Sequence, residues 1–341
     1  MKKTNINKPI NNITRFRDNQ PNFAETYFIL LNDPVQDVTM VVRYVLFNGQ
    51  EPANQLAETW VWFRDRKQNK EIALRQKNKL THAKIAKDKF YLEIGDAGIT
   101  DGKAWGTINT DTNQISWELT LHEEGAIGID RFPGLIKYTP FPKFYSPFCK
   151  HKLSGQVKFN DKEYQFNQVN GSDGHYWGAK KAFSWNWGNC VNFKEDPEFL
   201  FEGISVVANP NLPPALWMFF HWNNKIYNCS GVLHSMLRNK EMSSDLDSWE
   251  FMAASKDITF HGKMHAVPED MILHSHPLPN NKFLYTTITL NANLEIDIYK
   301  KTKSGQQKLQ TLTAVNTASF EVTKPYRNTQ VTRQYQIIEK I

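Results

Sequence analysis

The sequence predicts an all-β protein, a sandwich or barrel in which helices are at most incidental. Three observations carry this. Apolar residues alternate with polar ones at a period of two in several runs, and turn-forming pairs punctuate those runs at strand-length intervals. The apolar content also leans on rings, with 22 Phe, 12 Tyr and 10 Trp, which suits interdigitating sheet faces better than long aliphatic helices. At 341 residues the chain can bury two cores or one enlarged one.

In chain order, residues 1–20 are polar, rich in Asn and Lys, and without periodicity, so a mobile basic arm is expected there. Val38, Met40, Val42, Tyr44 and Leu46 then form a first alternating face. Phe90, Leu92 and Ile94 form a second, and Ile115, Trp117, Leu119 and Leu121 a third, opposed by Ser116, Glu118, Thr120 and His122. Further on, Ile258, Phe260, Met264 and Ala266, and later Leu294, Ile296 and Ile298, repeat the pattern. Turns are expected at Asn32-Asp-Pro34, Phe47-Asn-Gly49, Asp101-Gly102, Asn160-Asp161 and Lys303-Ser-Gly305. A faint echo between Glu25 to Leu46 and Phe183 to Val207 places a boundary around residues 175 to 195. The expected domains are 21–178 and 179–341.

The net charge of +6 is spread along the chain, which argues against nucleic acid as a partner. It suits solubility, and also weak attraction to an anionic membrane surface. Three cysteines without a C-x-x-C spacing argue against a disulfide framework and a zinc site and fit a reducing compartment. No stretch approaches eighteen apolar residues, so a soluble, cytoplasmic monomer or homodimer is expected. His261 and His265 lie about 13 Å apart on an extended chain and cannot share an ion. His274-Ser-His276 falls in a Pro-punctuated segment read as a loop, with no third ligand nearby, so no metal is expected. No phosphate-binding, dinucleotide or nucleophile-elbow glycine motif occurs in a strand-to-helix context.

The densest chemistry lies in Gly171-Ser-Asp-Gly-His-Tyr-Trp-Gly178, followed by Phe183, Trp185, Trp187 and Phe193. Three glycines in eight residues permit tight turns beside a carboxylate, an imidazole and an indole. The following strand is expected to put its aromatic rings on one face, with Trp185 and Trp187 lining a cavity. The plainer reading is a glycine-rich corner capped by core aromatics.

The run Trp185-x-Trp187-x-x-Cys190-x-x-Phe193, with His175-x-Trp177-Gly178 before it, resembles tocopherol cyclases and the carotenoid hydratase (hydroxyneurosporene synthase) family. Ala24-Glu-Thr-Tyr-Phe28, Ala57-Glu-Thr-Trp60, Gly95-Asp-Ala97, Ile115-Ser-Trp117, Leu153-Ser-Gly-Gln-Val157 and Phe199-Leu-Phe-Glu202 fit the same group. The likeness covers Phe23 to Asn223 and fades afterwards to Thr317-Ala-Ser-Phe-Glu321. It implies two lipocalin-like β-barrel or β-sandwich domains in tandem. Where the hydratases read His-Asp-His-Asn-Trp-Gly, this chain reads Asp173-Gly174-His175-Tyr176-Trp177-Gly178, so the family acid is missing from its column. Asp173, one residue away, faces the other side of an extended strand from that column.

The resemblance implies a cofactor-independent cyclase, hydratase or pericyclase acting on a polyene, terpenoid or polyketide-derived lipophile. Protonating an alkene needs a carboxylic acid kept neutral by desolvation, and rings that stabilise a cation without capturing it. The candidate acids are Asp173 and Glu202, with His175 orienting the site or relaying the proton. Glu202, among Leu200, Ile204 and Val206, reads first as half of a buried ion pair and then as a functional acid. Tyr176, Trp177, Phe183, Trp185, Trp187, Trp117 and Phe193 are the candidate substrate-binding residues. A pericyclic reaction would need only a pocket that folds the substrate. The rival class is a non-catalytic carrier or sensor of lipophilic ligands.

Overall fold

A computed structural model describes residues 13–17, 20–51, 55–128, 143–146, 148–179, 181–230, 234, 237–277 and 282–340. Two compact units emerge, each built on one sheet. In the first, β1 (Phe23–Asp33), β2 (Val38–Asn48), β3 (Gln55–Asp65) and β4 (Lys70–Lys79) form an antiparallel meander. A second meander runs through β5 (Ala83–Ile85), β6 (Tyr91–Ile94), β7 (Ala97–Thr100), β8 (Lys103–Asn109) and β9 (Gln114–Ile127). The hairpin of β11 (Lys150–Phe159) and β12 (Lys162–Gly178) joins them, β11 on β9 and β12 on β1, while the short β10 (Lys143–Tyr145) adds to β12. The sheet curls until β6 touches β3. Its concave face buries one apolar cluster that includes Ile29, Tyr44, Phe63, Leu74, Leu92, Trp117 and Leu153.

The second unit orders β16 (Lys225–Cys229), β15 (Ala215–Trp222), β14 (Leu200–Val207), β13 (Ser184–Cys190), β22 (Gly305–Lys324), β21 (Phe283–Thr302), β19 (Ile258–His265), β18 (Ser248–Ala254) and β17 (Lys240–Ser244) across its sheet. There β20 (Ile272–Pro277) also pairs with β21. Its core is ring-rich: Phe220 stacks on Phe260 at 4.0 Å between centroids, and Phe201 on Phe251 at 4.9 Å.

Two expectations are corrected. Gln336–Lys340, expected in the second domain, is instead β23, pairing in parallel with β4 of the first unit. Residues 13–17, expected within a mobile arm, are packed into the first unit. Thr14 and Phe16 are buried, and the Phe16 ring meets Phe23 edge-on at 6.1 Å. The burial of an aromatic ring outweighs the polar composition around it. The remainder of 1–20, apart from Gln20, lies outside the described residues.

One local irregularity sets the site. Tyr164 and Phe166 of β12 face the core at even positions. Gln168 then adopts a left-handed φ of 56°, its N–H donates to Ser154 Oγ, and the ladder with β11 shifts between Leu153 and Gly155. Such a bulge resets alternation, so the odd positions Val169, Asp173, His175 and Trp177 take over the inner face. Gly155, at φ 132°, is required opposite it: a Cβ there would stand 2.1 Å from the Glu118 carbonyl oxygen.

Candidate functional site

Across the β1–β12 ladder, Tyr27 pairs with His175 and Glu25 with Trp177, so four side chains converge on the inner face of the first unit. Both Glu25 and His175 are fully enclosed, at 0% exposure. His175 Nε2 lies 2.7 Å from Glu25 Oε1. The Tyr27 hydroxyl donates to the same oxygen at 2.8 Å, and the Arg15 backbone N–H donates to both carboxylate oxygens at 2.8 and 3.0 Å. The carboxylate is thus ringed by hydrogen-bond donors, which offset the loss of water around it. Burial, and then the Glu25 carboxylate, hold the Tyr27 phenol well above its usual pKa, so it stays a donor.

Rings enclose the pair. Tyr27 stacks on His175 at 4.1 Å and 15°, Trp177 lies 4.4 Å from the imidazole on a tilted plane, and Phe90 lies 4.7 Å from Tyr27. The Arg15 guanidinium sits 5.8 Å from the Trp177 ring, close enough for a weak cation–π contact. The arrangement can hold and exchange a proton in an apolar, aromatic setting.

Of the residues singled out from the sequence, the structure thus unites His175 and Trp177. Asp173 shares their strand face, and its carboxylate accepts the Phe148 N–H at 2.7 Å while its own N–H bonds the Phe148 carbonyl. Tyr176 turns to the opposite face, next to Thr26 and Phe144 in the register. Trp117 belongs to the unit's core, where its indole donates to the Tyr44 hydroxyl at 3.1 Å. The absence of an acid at position 174 has a steric cause. A Cβ on Gly174 would stand 2.2 Å from the Phe28 ring, so that column admits no side chain.

The other candidates belong to the second unit. Gly188 abuts Met264 and Phe201, and Cys190 lies in the core, so β13 turns its even positions inward. Trp185 and Trp187, expected to line a cavity, therefore face away from that core, and Trp187 is nonetheless buried. Each indole donates to a carboxylate instead, Trp185 to Glu321 at 2.9 Å and Trp187 to Glu202 at 3.2 Å. Phe193, past the end of the strand, drops into the core against Phe199, and Phe183 precedes the strand and is 37% exposed. His274 and His276 lie on a strand and not in a loop, with rings 4.8 Å apart. Among the described residues no group of three or more His, Cys, Asp or Glu is placed to hold a metal ion.

Sequence reasoning passed over Glu25. The signal was present: it is an acid set between Phe23 and Tyr27 on a face that continues through Ile29 and Leu31.

Fold and geometry define an all-β protein of two lipocalin-like units in tandem. Two solved structures share this architecture. CghA in complex with Sch210972 matches with a TM-score of 0.52 and 9% identity, covering 89% of each chain. Kievitone hydratase from Nectria haematococca matches with a TM-score of 0.50 and 10% identity, covering 92% of this chain and 93% of that one. No protein-family model matches the sequence, and no curated protein sequence does. Among the described residues no helix is long and apolar enough to cross a membrane.

Proposed function

We propose that this protein is a cofactor-independent hydratase or cyclase of a lipophilic polyene, terpenoid or polyketide-derived molecule, working through Glu25 and His175. The observation that carries the reading is a fully buried carboxylate–imidazole pair inside an aromatic shell. Glu25 fixes the orientation of the imidazole, the His175 imidazolium gives a proton to one carbon of the double bond, and the hydroxyl that forms the C–O bond at the other carbon returns a proton to the imidazole. That hydroxyl belongs to water in a hydratase and to the substrate in a cyclase. Trp177 and Tyr27 shield the reacting atoms and exclude stray water. A pericyclic reaction would leave the pair without a task. Two proteins of the same fold support a small-molecule ligand, one by the compound it holds and one by its name. Three buried cysteines, none in a disulfide, fit a reducing, cytoplasmic setting.

A carrier is the second reading, favoured by the complete enclosure of the pair beneath Thr14 and Arg15. Native mass spectrometry of the purified protein identifies a retained lipophile, and incubation in D2O separates the readings. Addition of O–H across a double bond places deuterium on carbon. Glu25→Gln and His175→Asn should cut that incorporation by roughly 10²–10⁴-fold and leave ligand affinity within a few-fold. Wild-type rates in both variants refute acid–base chemistry at this pair, and a lipophile bound tightly but returned unlabelled favours the carrier.

A further inference from the structure

The inner face of the first unit carries a second polar group that the Glu25–His175 pair does not use. The register aligns one row across five strands: His175, Tyr27, Tyr44, Thr59 and Gln76. All five point to the concave face: Tyr27 and Tyr44 belong to its apolar cluster, His175 stacks on Tyr27, and Thr59 and Gln76 lie two residues from Val61 and Leu74 of that cluster. Asn78 follows two positions beyond Gln76 on the same face. Tyr44 is engaged by Trp117 and by the Trp105 carbonyl. Thr59 Oγ1, Gln76 Oε1 and Asn78 Nδ2 have no hydrogen-bond partner among the described residues, although these side chains are 0%, 1% and 3% exposed. The β6–β7 turn closes over them. Gly95, at φ 58°, is packed so that a Cβ would stand 3.4 Å from Asn78 Oδ1 and 3.7 Å from Gln76 Nε2.

A folded protein seldom leaves three adjacent buried polar atoms without partners, since each costs its full desolvation. We infer that Thr59, Gln76 and Asn78 bind the hydroxyl group of a lipophilic alcohol or phenol lying along the concave face of the first unit. The donor and acceptor types select that group. Asn78 Nδ2 needs an acceptor, Gln76 Oε1 needs a donor, and Thr59 Oγ1 serves as either. A hydroxyl supplies both functions from one atom, whereas a ketone or carboxylate leaves Gln76 unsatisfied. Four strand spacings separate Gln76 from His175, about 19 Å along the sheet and less across its curl. A long lipophile anchored by its hydroxyl at Gln76 therefore brings its far end to the Glu25–His175 pair. This assignment rests on the reading of that pair as the reactive site and adds the substrate's chemical class to it.

The test uses geranylgeraniol and its methyl ether, which keeps the acceptor oxygen and loses the donor hydrogen. Titration of the full chain by quenching of tryptophan fluorescence gives both affinities. The wild type should prefer the alcohol by about tenfold, the worth of one neutral hydrogen bond. A Thr59→Val/Gln76→Leu variant should bind both probes alike, with affinity for the ether unchanged. Thr59→Val alone, nearly isosteric, should lose part of the preference and guards against misfolding of the double variant. Equal affinity for the two probes in the wild type overturns the assignment, as does a preference that survives in the double variant. If the wild type binds neither probe while melting temperature rises in the variants, the three groups hold only ordered water and the assignment falls. The two readings fail separately. Loss of the alcohol preference with His175-dependent turnover intact sinks this inference alone. A preference that persists in His175→Asn without any turnover sinks the catalytic reading alone.

Discussion

Lys181, where the chain leaves the first unit for the second, shows what burial does to a charge. Desolvation, followed by the nearby Arg75 guanidinium, pushes its ammonium down to about 8, and Glu58 opposes that shift only partly. Glu58 is already committed: Arg75 grips it bidentately at 2.8 and 3.0 Å, and the Trp60 indole donates to it at 2.8 Å. The folded state therefore disfavours the charged lysine, and the penalty is present in full below pH 8. Between pH 8 and the unfolded lysine's pKa near 10.4 the unfolded chain binds the extra proton, so stability should rise with pH in that window. Lys181→Met should stabilise the protein at pH 7 by about 1–3 kcal/mol and flatten the rise, as read by urea denaturation across the pH series. A variant less stable than wild type at pH 7 would contradict this account. Gly174 makes the complementary point without charge. Gly174→Ala drives a methyl into the Phe28 ring and should cost about 1–3 kcal/mol by the same measurement.

Segments 13–17 and β12 decide where the site lies. Thr14, Arg15 and Phe16 tie a segment of polar composition onto the inner face, two through hydrogen bonds to the Glu25 and Tyr27 groups and one through its ring. Removing that ring in Phe16→Ala should destabilise the protein by about 3 kcal/mol and hasten amide exchange at Arg15, whose N–H is held by Glu25. Unchanged exchange there would show that the segment is held independently of Phe16. Such elements were unevenly legible in the sequence. Period-two runs such as Val38 to Leu46 and Ile115 to Leu121 show which residues share a face because one face of each strand is buried. They do not show which face that is. Alternation is symmetric, so the sequence places Trp185 and Trp187 together, and only the structure turns them away from the core of the second unit. In β12 even alternation fails, since the bulge at Gln168 exchanges inner and outer positions halfway along. His175 and Trp177 were found through resemblance, while Glu25 is joined to them by cross-strand register over 150 residues, which no local pattern encodes.

At the scale of the whole molecule, the chain completes its second unit and then returns its end to the first. Nothing in Gln336–Lys340 marks it for that return, because a parallel pairing formed across more than 250 residues carries no turn signal and no local periodicity. What the strand does is physical. It covers the edge of β4, whose unpaired N–H and C=O groups would otherwise present a template for another chain. Ile338 packs against the core cluster of the first unit, and Lys77 meets Glu339 at 2.8 Å, an exposed pair that adds little by itself. Truncation before Gln336 should therefore act on the first unit and spare the second. Amide exchange should accelerate in Leu74 to Asn78, and self-association should appear by sedimentation as concentration rises. Exchange in the second unit, for example in Phe220 and Phe260, should stay at its wild-type rate, because the ring-stacked core there draws no residue from β23. Equal acceleration in both units would mean that they unfold as one cooperative body and that the returning strand secures more than the edge it covers.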